Sequence, residues 1–190
     1  MSQFRLKGGV LKRALLTIGH STHPIEEFLA MLEAHGVDVL ADVRTVPRSR
    51  HNPQFNREVL PGSLQEAEIR YVSMPGLGGL RRARPDSVNA GWRNASFRGY
   101  ADYMQTAEFR ENLEKLIDLS QETQAAIMCA ESVPWRCHRS LIADALLVRG
   151  VPVEHIMSAA SVKAHTLTSF AQVEGTRLTY PADQAALDLG

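Results

Sequence analysis

The chain has 190 residues, a formal net charge of zero and a hydrophobic fraction of 44%. This length fits one ordinary domain, and the hydrophobic fraction is enough to build a core. No stretch reaches the roughly 18 consecutive apolar residues of a membrane span, and the N-terminus lacks the pattern of a secretory signal peptide. We therefore expect a single globular domain over residues 1–190, located in the cytoplasm and not associated with membranes.

Short apolar runs alternate with helical patterns along the chain. In chain order, the predicted elements are a strand at 14–18, a helix from Pro24 to Gly36, a strand at 37–43, a helix at 57–67, a strand at 69–72, a helical region at 97–120 that is one helix or two, a strand at 125–128, a helix from 137 to Gly150 and a strand at 151–157. This alternation predicts an α/β fold, a three-layer α/β/α sandwich with a mostly parallel five-stranded sheet.

The zero net charge conceals a basic segment at residues 44–98, which holds ten arginines against four acidic residues. Arginine also outnumbers lysine 17 to 4 in the whole chain. The planar arginine fork suits bidentate contacts with phosphate or carboxylate groups. The segment therefore predicts either an anion-binding surface or a merely solvated basic face.

Polar side chains cluster where the first, second and fourth predicted strands end. Because the carboxyl ends of parallel strands meet at one edge of a sheet, where open α/β sheets bind ligands, we expect these side chains to converge on one site. The residues are His20, Ser21 and Thr22 after the first strand, Asp42, Arg44 and Arg48 after the second, and Cys129, Glu131, Cys137, His138 and Arg139 after the fourth.

Four of these residues are candidates for catalysis, and each also fits a structural role. Cys137 opens a helix among basic neighbours, which favours a thiolate nucleophile. His20 and Glu131 fit acid–base catalysis, but also a hydrogen-bonded turn and a helix cap, respectively. Asp42 lies two residues before Arg44, so the two form an ion pair, serve an anionic substrate, or do both. The residues predicted to contact the substrate are Ser21, Thr22, Arg44, Arg48, Cys129, His138 and Arg139.

No metal or cofactor is predicted. Zinc ligands could be drawn only from Cys129, Cys137, His138 and His20, and the C-x-x-C and H-x-x-x-H spacings are absent. The glycine-rich loop at 76–79 departs from the G-x-G-x-x-G pattern of dinucleotide sites. Because this loop continues into an arginine-rich stretch, we interpret it as a mobile lid over the strand ends.

Several separated motifs are shared with a known family. They lie at 17–22, 26–28, 41–44, 100–104, 129–131 and 137–140, and together they resemble the domain-of-unknown-function family 488. The resemblance covers roughly residues 15–170 and leaves a tail at 171–190. It implies a small cytoplasmic prokaryotic α/β protein linked to nucleic-acid metabolism. On the matching positions, it implies site roles for His20, Ser21, Asp42, Arg44, Cys129, Glu131, Cys137, His138 and Arg139.

Three hypotheses about function follow. We favour a hydrolase or transferase whose partner is a small anionic, phosphate-bearing or nucleotide-like ligand, with Cys137, His20 or Glu131 in catalysis. The second hypothesis is an accessory protein, repair-linked or otherwise, that binds nucleic acid through segment 44–98. Its stacking residues would be Phe55, Tyr71, Trp92, Phe97 and Tyr100. The third is a thiol redox protein that uses Cys129 and Cys137. No oligomeric state is predicted.

Overall fold

The computed structural model describes residues 13–182. Its elements are β1 (Leu15–Gly19), α1 (Ile25–Ala34), β2 (Val39–Asp42), α2 (Leu60–Glu66), β3 (Arg70–Ser73), α3 (Ala95–Tyr103), α4 (Ala107–Glu122), β4 (Ala125–Cys129), α5 (Arg139–Leu147), β5 (Val153–Ser158), β6 (Ser161–Ala164), β7 (Gln172–Glu174) and β8 (Arg177–Thr179). The helical region at 97–120 is therefore two helices. The break lies at Thr106, whose side-chain oxygen accepts a hydrogen bond from the Phe109 N–H at 3.2 Å and caps α4.

Six strands form the central sheet, in the order β3-β2-β4-β1-β5-β6. The first five are parallel, and β6 is antiparallel to β5. The α/β fold with a mostly parallel sheet is confirmed, although the sheet has six strands where the sequence predicts five. The sixth strand is missed because all four residues of β6 are exposed, so no apolar pattern marks it.

Helices cover both faces of this sheet and complete the three layers. α1 and α2 pack on one face through side chains such as Phe28 and Leu64. α3, α4 and α5 pack on the other face through side chains such as Tyr100, Leu113 and Ile142. Consequently, the loops after β1 and β2 lead to one face, whereas the loop after β4, which lies between these two strands, leads to the opposite face.

The C-terminal segment packs on the same core as α3 to α5. Leu178 and Tyr180 are buried there, and the Gly91 N–H donates to the Tyr180 carbonyl at 2.9 Å. Leu178 and Tyr180 of the predicted tail thus contact the core, and residues 183–190 lie outside the described part. Among the helices within 13–182, none is long and apolar enough to cross a bilayer.

A chain of buried hydrogen bonds joins α5 to β5 and β1. Asp144, which is fully buried, accepts from His165 Nε2 at 2.9 Å. His165 Nδ1 in turn accepts from His155 Nε2 at 3.0 Å, and His155 Nδ1 accepts from the Thr17 hydroxyl at 2.7 Å. Thr17 accepts from Arg139 at 3.2 Å. Because every donor points the same way, the chain assigns the tautomer of each histidine ring.

Burial of His155 makes the stability of the fold sensitive to acid. Its pKa is lowered from 6.5 to about 3, chiefly by burial and secondly by His165. The unfolded chain takes up this proton near pH 6.5 and the folded chain only near pH 3, so the free energy of unfolding falls as the pH drops through that window. At about 1.4 kcal/mol per pH unit, we expect His155 to account for about 2 kcal/mol of the loss between pH 6.5 and about pH 5.

Urea unfolding at a series of pH values measures this contribution. His155→Gln keeps a donor and an acceptor but does not titrate. The free energy of unfolding of this variant should be lower than that of wild type at pH 7. Because the titrating group is gone, it should also depend less on pH below 6.5. Equal pH slopes for the two proteins would contradict the assignment.

Candidate functional site

An open pocket of about 420 Å³ lies at the carboxyl edge of the sheet, at the ends of β1, β2 and β4. The loops after these neighbouring strands leave for opposite faces of the sheet, which is the kind of crevice in which open α/β sheets bind ligands. Six residues predicted for the site line it: His20, Ser21, Thr22, Arg44, Arg48 and Glu131.

Arg44 is held at the pocket wall by a buried ion pair. Its Nε and Nη2 donate to the two oxygens of Asp42 at 2.8 and 2.7 Å, and Nη2 also donates to the Phe55 carbonyl at 2.8 Å. Tyr71 donates a further hydrogen bond to Asp42 at 2.8 Å. The Asp42 carboxylate thus accepts hydrogen bonds from Arg44 and Tyr71. Asp42 itself does not line the pocket, so its role is to position Arg44.

His20 is also held by its neighbours. Its ring stacks on Phe55 with centroids 4.3 Å apart, and Nδ1 donates to the Ser21 carbonyl at 2.9 Å. The remaining nitrogen, Nε2, lies 3.2 Å from Arg44 Nη1 and accepts from it. Burial, with a smaller effect of Arg44, lowers the pKa of His20 from 6.5 to about 4. The ring is therefore a neutral hydrogen-bond acceptor that orients Arg44, and in this geometry it has no lone pair free to act as a base.

One N–H of Arg44 has no partner among the described residues and is therefore available to a ligand. The guanidinium has five N–H groups, and four are used by Asp42, Phe55 and His20. The fifth N–H is on Nη1, and Arg44 itself lines the pocket. The arrangement therefore presents a rigid, preoriented donor rather than a mobile cation.

Arg48 and Glu131 bring exposed charges of opposite sign to the same pocket. Neither side chain takes part in an ion pair or side-chain hydrogen bond with another described residue. Ser21 stands beside them with a φ of 47°, a left-handed conformation that is uncommon for a residue with a side chain. Such conformations cluster at functional sites, where surrounding contacts maintain them.

Arg139 lies beneath the pocket and does not line it. It is 1% exposed, and its Nη2 donates to the Glu131 carbonyl and, at 3.3 Å, to the Ser132 carbonyl. A Cβ at Gly19 would overlap the same Glu131 carbonyl, so only glycine fits there. Arg139 thereby fixes the loop after β4, although the sequence predicts a substrate contact for it.

The thiols lie on the other face of β4, in the core formed with α3 to α5. The sulfurs of Cys129 and Cys137 and a ring nitrogen of His138 lie within 4.8 Å of one another. His138 Nδ1 is 3.6 Å from the Cys137 sulfur and 3.9 Å from the Cys129 sulfur. The structure thus unites three of the four residues considered for zinc, without His20, and separates them from the pocket.

The two thiols have opposite pKa shifts. Hydrogen bonding from Cys129, aided by the charge of Arg139, lowers the pKa of Cys137 from 9.0 to about 6. The same hydrogen bond, together with burial, raises the pKa of Cys129 to about 12. The two thiols thus shift each other's pKa in opposite directions, and Cys137 is the more acidic of the two.

The loop predicted to be a lid covers the thiol cluster and is anchored along its length. Tyr100 donates to the Leu77 carbonyl at 2.7 Å, and Thr45 donates to the Gly79 carbonyl at 3.0 Å. Further along, the Asp102 carboxylate accepts from the Arg84 N–H at 2.8 Å. These contacts hold the loop against α3.

The aromatic residues proposed for stacking on nucleic acid are largely unavailable. Phe55 and Tyr100 are 0% and 1% exposed. Trp92 and Phe97 pack on the core and on each other, with ring centroids 4.8 Å apart. Phe55 and Tyr100 therefore offer no stacking surface, because their rings are buried in the core.

The geometry missed by the sequence analysis is the chain of hydrogen bonds from Asp144 through His165 and His155. Its signal in the sequence was a polar residue within each of two apolar elements, namely Asp144 in α5 and His155 in β5. A buried polar group requires a hydrogen-bond partner, so two such groups in neighbouring elements indicate a hydrogen-bonded connection between them.

Comparison with known proteins identifies a family model described as Domain of unknown function DUF488, which matches residues 24–146. This match spans more than half of the chain. Neither a curated protein nor a solved structure matches the chain.

Proposed function

The chain belongs to the family described as Domain of unknown function DUF488, and from that premise we propose that it is a hydrolase or transferase that binds a phosphate-bearing, nucleotide-like ligand in the pocket at the carboxyl edge of the sheet. The family description names no activity, so the proposal rests on the site. The observation that carries it is the preoriented Arg44, which retains a free Nη1–H at the wall of an open pocket. The free thiols of Cys129 and Cys137 fit a reducing compartment, and we propose the cytoplasm.

Two arginines and several hydroxyl groups would hold the anion. Arg48 supplies an exposed charge, Arg44 a fixed donor, and Ser21 and Thr22 add hydroxyl donors at the wall. Charge-assisted hydrogen bonds of this kind are stronger than neutral ones. The volume of about 420 Å³ falls in the range of small-molecule pockets.

Glu131 is the general base in this proposal. Its carboxylate is exposed at the pocket, so it can accept the proton of a water or alcohol that attacks the bound ligand. A nearby carboxylate also repels an anionic ligand and weakens its binding. The position of Glu131 therefore fits a role in the reaction rather than a role in binding. Asp42 and His20 position Arg44 and do not exchange protons with the ligand.

Binding of adenosine diphosphate to the full chain, followed by calorimetry, tests the pocket. Arg48→Ala removes a charged hydrogen bond worth about 1.5 to 3 kcal/mol, so the dissociation constant should rise at least about tenfold. Arg50→Ala is the matched control, because Arg50 is exposed on the same loop but does not line the pocket. Equal effects of the two variants, or no binding to wild type, would reject the proposal.

Glu131→Gln separates an enzyme from a binding protein. Removing the carboxylate should tighten binding of the nucleotide, because a repulsive charge is lost, and should abolish turnover of a phosphate ester. Full turnover in this variant would exclude Glu131 as the base, and tighter binding without any wild-type turnover would indicate a binding protein.

A further inference from the structure

We propose that Cys129, Cys137 and His138 bind a zinc ion, with two thiolate sulfurs and one imidazole nitrogen as ligands. The three residues come from the end of β4 and the start of α5, on the face of the sheet opposite the pocket that contains Arg44. The inference is independent of the proposed function, since none of the three lines that pocket.

The distances between the candidate ligand atoms fit a tetrahedral zinc ion. With Zn–S near 2.3 Å and Zn–N near 2.0 to 2.1 Å, a tetrahedral angle places sulfur and nitrogen about 3.6 Å apart. His138 Nδ1 lies 3.6 Å from the Cys137 sulfur and 3.9 Å from the Cys129 sulfur. The same geometry places two sulfurs about 3.8 Å apart. The sulfurs of Cys129 and Cys137 lie within 4.8 Å of each other, so they would approach by up to about 1 Å on binding the ion.

The orientation of His138 also fits a ligand. Its Nε2 lies 3.3 Å from the Val43 carbonyl and donates to it, so Nδ1 directs its lone pair toward the two sulfurs. Metal-bound histidines commonly donate their second N–H to a carbonyl in this way. The ring is further fixed by Tyr100, whose ring centroid is 5.0 Å away.

Charge and access support the same assignment. Two thiolates neutralise Zn²⁺, so the complex adds no net charge to a region where Cys129 and Cys137 are 8% and 4% exposed. Three protein ligands leave the fourth tetrahedral position for water or a substrate atom. A Cβ on Gly79 would lie 3.1 Å from His138 Nδ1, so glycine keeps that side of the ligand atom open.

Binding of Co²⁺ to the reduced full-length protein tests the site directly. Co²⁺ replaces Zn²⁺ in tetrahedral thiolate sites and reports sulfur ligation by thiolate-to-metal charge-transfer absorption. We expect one equivalent of Co²⁺ to produce this band together with intense tetrahedral visible bands, and one equivalent of Zn²⁺ to remove both. A weak octahedral spectrum without charge transfer would overturn the proposal.

Variants locate the ligands. Cys137→Ser and Cys129→Ser should each weaken the charge-transfer band and lower Zn²⁺ affinity by more than about 100-fold, the upper figure for loss of a mere outer-shell partner. His51→Gln is the control, because His51 is exposed and far from the cluster in sequence. If a cysteine variant fails to fold by circular dichroism, the wild-type Co²⁺ spectrum still decides.

Disulfide formation, measured together with the Co²⁺ spectrum, distinguishes the metal site from a redox pair of thiols. Sulfurs within 4.8 Å of each other could also be oxidised to a disulfide by an external disulfide. A protein that forms the Cys129–Cys137 disulfide and, after reduction, gives no thiolate charge-transfer band would overturn the metal site in favour of the redox pair. Neither outcome depends on whether adenosine diphosphate binds, so failure of one proposal is separable from failure of the other.

Discussion

Replacing Asp42 with alanine is expected to lower the free energy of unfolding by about 3 to 5 kcal/mol, because it leaves the buried guanidinium of Arg44 without its counter-charge. The two side chains of this pair are 1% and 6% exposed. Breaking a buried pair is costly since one ion remains in a low-dielectric environment. Urea unfolding of Asp42→Ala at pH 7 measures the loss.

The chain offers a matched control for this pair. Asp86 and Arg84 also lie two residues apart and form a two-point contact, with oxygens at 3.1 and 2.9 Å, but both side chains are about two-thirds exposed. Asp86→Ala should therefore leave stability unchanged within error. Equal effects of the two substitutions would show that Asp42 does not hold Arg44. A double variant that also removes the Arg44 charge should recover part of the stability lost in Asp42→Ala, because the unpaired ion is gone.

Replacing Arg139 with methionine is expected to cost about 3 to 4 kcal/mol of stability and to loosen the loop after β4. Methionine keeps much of the volume but removes the hydrogen bonds from Arg139 to the Glu131 and Ser132 carbonyls and to the buried Thr17 hydroxyl. A hydrogen bond from a charged group contributes about 1.5 to 3 kcal/mol. Within the described residues, no carboxylate pairs with Arg139. The loop carbonyls and Thr17 are instead its acceptors.

Hydrogen exchange and urea unfolding together separate the two effects. In Arg139→Met, amides of residues 130–133 should exchange faster than in wild type, in addition to the global loss of stability. Arg136→Met is the control, because Arg136 is exposed in the same loop and makes no side-chain hydrogen bond with a described residue. Unchanged exchange at 130–133 would show that Arg139 does not hold the loop.

The sheet and helices were predictable because burial imposes patterns on the sequence. β1, β2 and β4 are buried, mainly apolar runs of the length expected for parallel strands, and α1 repeats its apolar residues at helical spacing. In contrast, β6 and β7 are fully exposed. Their pairing depends on backbone hydrogen bonds to neighbours, which leave no apolar signature.

The convergence of polar residues at the strand ends was also predictable, but their division between two faces was not drawn from the sequence. Side chains alternate along a strand, so His20 lies on the side of Leu16 and Ile18, whereas Cys129 lies on the side of Ile127. Counting in twos would have separated the thiols from the pocket. The metal-like cluster escaped because its ligands have no standard spacing and meet only through the turn between β4 and α5.

The role of Arg139 could not be assigned from the sequence, because an arginine at a helix start fits an anion contact and a buried anchor equally well. The two cases differ in the path of the loop before it, which the sequence does not specify. Similarly, Asp42 and Arg44 were compatible with an ion pair or a substrate site. The structure shows the pair itself, at 2.7 Å, with one Arg44 N–H left for a ligand.

The most direct test of the pocket is a titration of the ¹⁵N-labelled protein with adenosine diphosphate, followed by backbone amide shifts. The proposed function predicts saturating shifts at Ser21, Arg48 and Ser132, which line the pocket from three loops, with a single dissociation constant. Amides of the loop at 76–79, on the other face, should not shift. The absence of saturating shifts at the three pocket positions, or saturation at 76–79 instead, would contradict a ligand site at this edge of the sheet.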